Sequence, residues 1–268
     1  MSEPGVFKSI RVEKKGSVWR VVLNRPEVKN AHDLEMFKEI VQAFDEVEND
    51  PECRCAVLTG AGGVFCAGQD LSFTRTAGAR EIDAYGRWNV AARNRIQRNF
   101  KPVVAAVNGP AIGGGVYLAT ACDLVVAVDT AFFQMREIQA GNHAGGAFLH
   151  TIGRARSLEM TLLGRRVPAP QAQAWGLINR AVPASEFDAA VEDYVTALVE
   201  LPPLGVRYTK SATNLLLDAG GFAAHLDAGA PMQRYLGLTP DSREAKAAFN
   251  ERRKPHFTGE YPKTTGES

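Results

Sequence analysis

Two runs of small residues carry the chemistry this sequence advertises. They are Phe65-Cys66-Ala67-Gly68-Gln69-Asp70-Leu71 and Val107-Asn108-Gly109-Pro110-Ala111-Ile112-Gly113-Gly114-Gly115. Each closes an apolar, strand-like stretch, and the second runs directly into a helix-forming segment. Brought together, two such turns can aim two backbone N–H groups at one oxygen and stabilise negative charge growing on a carbonyl. Cys66, inside the first turn, has no base paired with it in the sequence, so it reads as a packed thiol rather than a nucleophile.

The flanking elements must hold those turns. Val18–Leu23 reads as a strand closed by Asn24-Arg25-Pro26, and Asp33 as the N-cap of a helix. Leu34, Phe37, Ile40, Val41, Phe44 and Val47 then recur at helical spacing. Pro51 ends that helix, and Cys55–Leu58 is a short buried strand feeding the first turn. Residues 80–99 read as an arginine-rich helix in which Tyr85 and Trp88 fit either a substrate pocket or a core stripe. Val103–Val107 is a strand, Gly114–Ala121 a helix, Leu124–Val128 a strand and Ser157–Leu163 a helix. Beyond Pro183 the pattern is helical, broken at Pro202-Pro203, Gly220-Gly221 and Pro240. The alternation indicates an α/β core over residues 1–195 and a helical C-terminal subdomain over 196–268, and alone it also allows a doubly wound sheet.

Composition narrows the function. The 268 residues are 45% hydrophobic and 23% charged, ordinary for a globular chain. With 31 basic and 30 acidic side chains there is no electrostatic footprint for nucleic acid. No apolar stretch approaches the roughly 20 residues of a membrane helix, and Met1–Gly5 lacks the basic start of a secretory signal. Cys53, Cys55, Cys66 and Cys122 form no Cys-x-x-Cys pair and have no histidine at ligand spacing, so no metal site is expected. The expectation is a reduced, cytoplasmic protein. Gly113-Gly114-Gly115 also lacks the Gly-x-Gly-x-x-Gly spacing of a dinucleotide fold.

The ordered motifs resemble the crotonase (enoyl-CoA hydratase/isomerase) superfamily. They are Leu23-Asn24-Arg25-Pro26 with Asn30-Ala31, Leu58-Thr59-Gly60-Ala61-Gly62 before the first turn, the second turn, Ala121-Cys122-Asp123-Leu124, and Glu251-Arg252-Arg253-Lys254-Pro255 with Phe257 and Gly259. The resemblance implies a spiral of repeated β-β-α units, an acyl-CoA thioester substrate with no further cofactor, and a homotrimer or a dimer of trimers. It also implies oxyanion donors at the backbone of Gln69 and Gly114, and CoA contacts at Val28, Lys29, Ala67, Asp70 and Leu71, with Lys29 and Lys254 available to phosphates.

The sequence departs from the family at the acid/base positions. Hydratases of the family use two glutamates. The first would stand where this chain has Tyr117; the second, in a Phe-x-x-Pro-Glu segment, is Glu137, preceded by Arg136 rather than proline. A tyrosine with a pKa of about 10 is a poor base at neutral pH, whereas one carboxylate is enough to move a proton between carbons. The pattern tilts from hydration toward isomerisation. Glu137 paired to Arg136, Tyr117 as a packed residue, and His143 in a shortened loop as a base remain open. So do decarboxylation, hydrolysis or retro-aldol chemistry, and a non-catalytic CoA-ester binder.

Overall fold

The computed structural model describes residues 7–140, 144, 148–219 and 235–261. Its main sheet runs in the order β1 (Ile10–Lys15), β2 (Val18–Leu23), β3 (Cys55–Gly60), β4 (Val103–Val107), β6 (Leu124–Val128) and β9 (Arg180–Val182). Only the β1–β2 hairpin is antiparallel. Strands of a parallel sheet are covered on both faces, and the side-chain alternation shows it. Ala56, Leu58, Ala105, Val107 and Ala127 enter one core, while Cys55, Val57, Val104, Ala106 and Val126 enter another beneath α7 (Phe187–Val199). The sequence boundary at 195/196 falls inside α7, whose buried Val191 and Val195 belong to that second core.

A second, small sheet joins β5 (Ala111–Ile112), β7 (Phe132–Gln134) and β8 (Val167–Pro168). Two single bridges extend it: Cys66 pairs with Ala111, and Gln69 with His32. Each repeat is therefore a long strand, a short crossing segment and a helix. The helices are α1 (Leu34–Asn49), α2 and α3 (Leu71–Thr76, Ala79–Gln97), α4 (Gly114–Ala121) and α5 (Leu149–Leu163). This is the β-β-α spiral and not a doubly wound sheet. Asp33 caps α1 as expected, its Oδ1 accepting from Met36 N–H at 2.9 Å, and Phe37, Ile40, Phe44 and Val47 are fully buried.

Two asparagines pin the loops that carry the glycine turns. Asn30, buried with φ 55°, donates Nδ2 to the carbonyls of Ala61 and Val64 at 2.8 and 2.7 Å and accepts from Arg25 N–H at 3.0 Å. Asn108 donates to Gly60 O at 2.7 Å and accepts from Gly60 N–H at 3.3 Å.

Several elements lay outside the sequence pattern. β1 alternates charged residues along a sheet edge, and the short β8, α6 (Ala169–Trp175) and β9 carry too few residues for a period. Residues 149–156 extend α5 beyond the expected start, across a kink at Gly153. In the C-terminal region α8 (Pro203–Ala219) and α9 (Pro240–Glu251) begin at the prolines noted; Gly220-Gly221 lies outside the described residues. Asn30→Ala strands two buried carbonyls, so the expected cost is about 2–3 kcal/mol, to be read from urea unfolding midpoints.

Candidate active site

The two glycine turns follow the C-terminal ends of neighbouring parallel strands, where open α/β sheets place ligands. Their approach is fixed by backbone pairing. Cys66 N–H donates to Pro110 O at 3.2 Å, and Ile112 N–H donates to Cys66 O at 2.9 Å. The bridge to His32 uses Gly68 O and Asp70 N–H, at 2.8 and 2.9 Å. Gly68, next to Gln69, packs directly against the second turn: a Cβ on it would stand 2.8 Å from Ile112 O. There Gly113 N–H is held by Gln134 O at 2.8 Å, and α4 begins with Gly114. Its first N–H groups have no acceptor within the helix, and the helix dipole favours an anion beside them.

Glycine is required at two of these positions. Gly113 has φ +53°, and a Cβ there would stand 3.2 Å from Glu137 Oε1. A Cβ on Gly114 would stand 2.0 Å from His32 Nε2. A carboxylate and an imidazole thus border the start of α4 on two sides.

Glu137 lies three residues after β7 and is half-buried, with Oε2 enclosed and unpartnered. Burial holds its pKa above the usual value. Among the described residues it has no ion pair, and Arg136 bonds to Gln139 instead, Nε to Oε1 at 3.2 Å. Tyr117, one turn into α4, stacks on Phe148 at 5.6 Å and lies under the Arg93 guanidinium at 4.8 Å. Burial first, and the Glu137 charge second, raise its phenol pKa. Tyr117 stays protonated at neutral pH and can donate a hydrogen bond but not act as a base.

The sequence reading did not single out His32. It is 1% exposed, its Nδ1 lies 2.9 Å from Tyr85 Oη, and its Nε2 has no partner among the described residues. Burial lowers its pKa to about 4, so it is neutral at pH 7. Among the polar neighbours Lys29, Asn30 and Asp33, nothing in the sequence marked it out. Asn89 and Arg93 were likewise visible only as part of an arginine-rich helix. Tyr85 packs with Phe37 and Phe73 at 5.3 and 5.5 Å, so it serves both core and site.

The residues expected to meet CoA are contiguous. Ala67 N–H donates to Lys29 O at 3.0 Å, tying the Val28-Lys29 turn to the first glycine turn. Lys29 has φ 55°, and Leu71 is 67% exposed at the start of α2. Asp70 has a structural task. Its Oδ1 caps α2 by accepting from Ser72 N–H at 2.9 Å, and its Oδ2 pairs with Arg25 at 2.9 Å. Arg25 also holds Asp33 and Ala31 O, both at 2.9 Å. Lys254 pairs with Glu200. Burial pushes the Cys66 thiol up to about 12, which leaves no thiolate for nucleophilic work. His143 lies outside the described residues.

A cavity of about 640 Å³ opens elsewhere, between the starts of β4 and β6 and the α7–α8 junction, beside Pro102, Leu124, Leu198 and Val206. It is at the opposite end of the strands from the glycine turns. The crowding at Gly114 gives a direct test. Gly114→Ala is expected to cost about 1–3 kcal/mol by overpacking, and less in a His32→Ala background, since the two positions are in contact. Thermal unfolding of the four variants of the cycle measures this.

Residues 13–260 match the enoyl-CoA hydratase/isomerase family. The 1,2-epoxyphenylacetyl-CoA isomerase of Escherichia coli K12 is 35% identical over 262 residues, covering 92% of this chain and 97% of that protein. Enoyl-CoA hydratase EchA19 of Mycobacterium tuberculosis is 33% identical over 256 residues, with 92% and 95% covered. The crystal structure of an enoyl-CoA hydratase from Bacillus anthracis superposes with a TM-score of 0.90 at 26% identity, covering 94% of this chain and all of that one. The glycine turns, the β-β-α spiral and these similarities agree: the chain is an enzyme of the enoyl-CoA hydratase/isomerase family.

Proposed function

We propose that the enzyme forms and quenches a thioester enolate, with the Gln69 and Gly114 N–H groups on the thioester oxygen and Glu137 as the group that moves the proton. The observation that carries this is the Glu137 carboxylate itself. It faces the Gly113 turn, is half-buried, and has no cation paired to it among the described residues. An enolate oxygen between two amides, one at a helix start, acidifies the adjacent carbon; losing one such donor costs about 2.7–4 kcal/mol of barrier. Both donors are main chain, so side-chain replacement at Gln69 has little effect through the hydrogen bond itself.

Tyr117 replaces the second carboxylate that hydration would use to share water activation and proton delivery. With one carboxylate, the better-supported reaction is a double-bond shift. Glu137 removes a proton from the carbon beside the thioester of a 3-enoyl-CoA, and the resulting dienolate takes the proton back two carbons further on. Tyr117 donates a hydrogen bond within the pocket. Val28, Lys29, Ala67, Asp70 and Leu71 carry the CoA moiety, Asp70 by holding the loop, and the thioester is substrate, so no resident cofactor is invoked. We assign residues 196–268 to closing the CoA pocket and to assembly of a cytoplasmic homotrimer or dimer of trimers. Phe249 on α9 is 84% exposed and Leu217 on α8 47%, which suits contact with another copy. Sedimentation equilibrium is expected to return three or six chains; a monomer rejects the assembly.

Absorbance of the conjugated enoyl thioester tests the chemistry. A 3-enoyl-CoA should gain signal, and Glu137→Gln should lower the rate by about 10²–10⁴-fold. Because burial raises the Glu137 pKa, the base form disappears as pH falls through a value above the usual carboxylate range. The acid limb of kcat/KM should therefore lie above about 4.3, and should be absent from the residual activity of Glu137→Gln. Loss of signal from a 2-enoyl-CoA would instead establish hydration without the second carboxylate. No change with either substrate would reject the assignment.

A further inference from the structure

A hydrocarbon acyl chain is best received by apolar walls, and the wall beside Tyr117 is not one. Tyr85, Asn89 and Arg93 are four residues apart on α3 and so share one face of the helix. Among the described residues, Arg93 Nε and Asn89 Oδ1 are buried without a hydrogen-bond partner, as is His32 Nε2 beside Tyr85. Buried polar atoms are nearly always partnered. Three orphans around one face are therefore waiting for a ligand that supplies the missing bonds.

Arg93 supplies the positive charge beside Tyr117. Arg93 lies over the Tyr117 ring, and among the described residues no carboxylate pairs with it. Glu137 acts on Tyr117 too, yet no ion pair joins it to Arg93. Burial disfavours the guanidinium charge, but an arginine remains charged and can only donate. What fits beside it is an anionic acceptor of matching planar geometry, a carboxylate. The Asn89 amide can present Nδ2 to the same group, since its two ends are interchangeable by rotation.

We propose that the acyl group taken by this site carries a carboxylate of its own, remote from the thioester, held by Arg93 with Asn89 beside it. Arg93 is then the residue that sets substrate preference. The proposal rests on the acyl-CoA reading above and narrows it to dicarboxylic mono-thioesters.

Calorimetric titration with succinyl-CoA and glutaryl-CoA against butyryl-CoA and pentanoyl-CoA, matched in carbon number, tests it. The wild-type enzyme should bind the dicarboxylic thioesters roughly tenfold to a hundredfold more tightly. Arg93→Met should abolish the preference while leaving butyryl-CoA affinity and the thermal midpoint close to wild type; Arg93→Lys should keep part of it. Equal affinities in the wild type, or a preference that survives in Arg93→Met, would overturn the proposal. Tight butyryl-CoA binding with weak succinyl-CoA binding would overturn it while leaving the acyl-CoA reading intact. Failure of every thioester to bind would remove both.

Discussion

The pairing of Cys66 with Ala111 is the contact on which this site depends. Each residue sits just beyond the end of a parallel strand, and the two backbone bonds between the segments bring the glycine turns into register. Without that pairing Gln69 and Gly114 belong to separate loops. With it, the segments that carry them lie side by side, and the pairing of Gly113 with Gln134 brings Glu137 beside the Gly113 turn. Backbone hydrogen bonds are well suited to this, because they position amides to within a fraction of an ångström without relying on side-chain rotamers.

Burial sets the electrostatics around these turns. Glu137 has been taken partly out of water with no ion-pair partner among the described residues, so its proton is held more tightly than in an ordinary carboxylate. Tyr117 feels both burial and that carboxylate and keeps its proton. His32 is neutral because it is enclosed. The Arg93 guanidinium lies over the Tyr117 ring, and no ion pair joins it to Glu137. The result separates a carboxylate from a guanidinium, with the Tyr117 ring under the influence of both.

Much of what looks like functional sequence is scaffolding for these few atoms. Arg25 links Asp33, Ala31 and Asp70, joining the loop before α1 to the start of α2. Asn30 and Asn108, from two other segments, satisfy the Gly60, Ala61 and Val64 carbonyls at the end of β3 and in the loop that follows it. These residues form recognisable motifs because irregular backbone must have its polar groups satisfied at fixed positions, and few side chains do this with both a donor and an acceptor.

The sequence by itself determined the strands β2, β3, β4 and β6, the capped helix α1, the two glycine turns and the family, since each rests on local periodicity or on residues close in the chain. It also exposed the replacement of a carboxylate by Tyr117. It did not disclose β1, whose charged alternation is that of an exposed edge, nor the membership of α7 in the core, which follows from packing on a distant sheet face. Least legible were His32, Asn89 and Arg93. A histidine before a helix and an arginine in an arginine-rich helix are ordinary in one dimension. Only the tertiary structure decides that His32 abuts Gly114 and that Arg93 lies over Tyr117, because burial and the loss of hydrogen-bond partners are properties of three-dimensional surroundings, not of residue type.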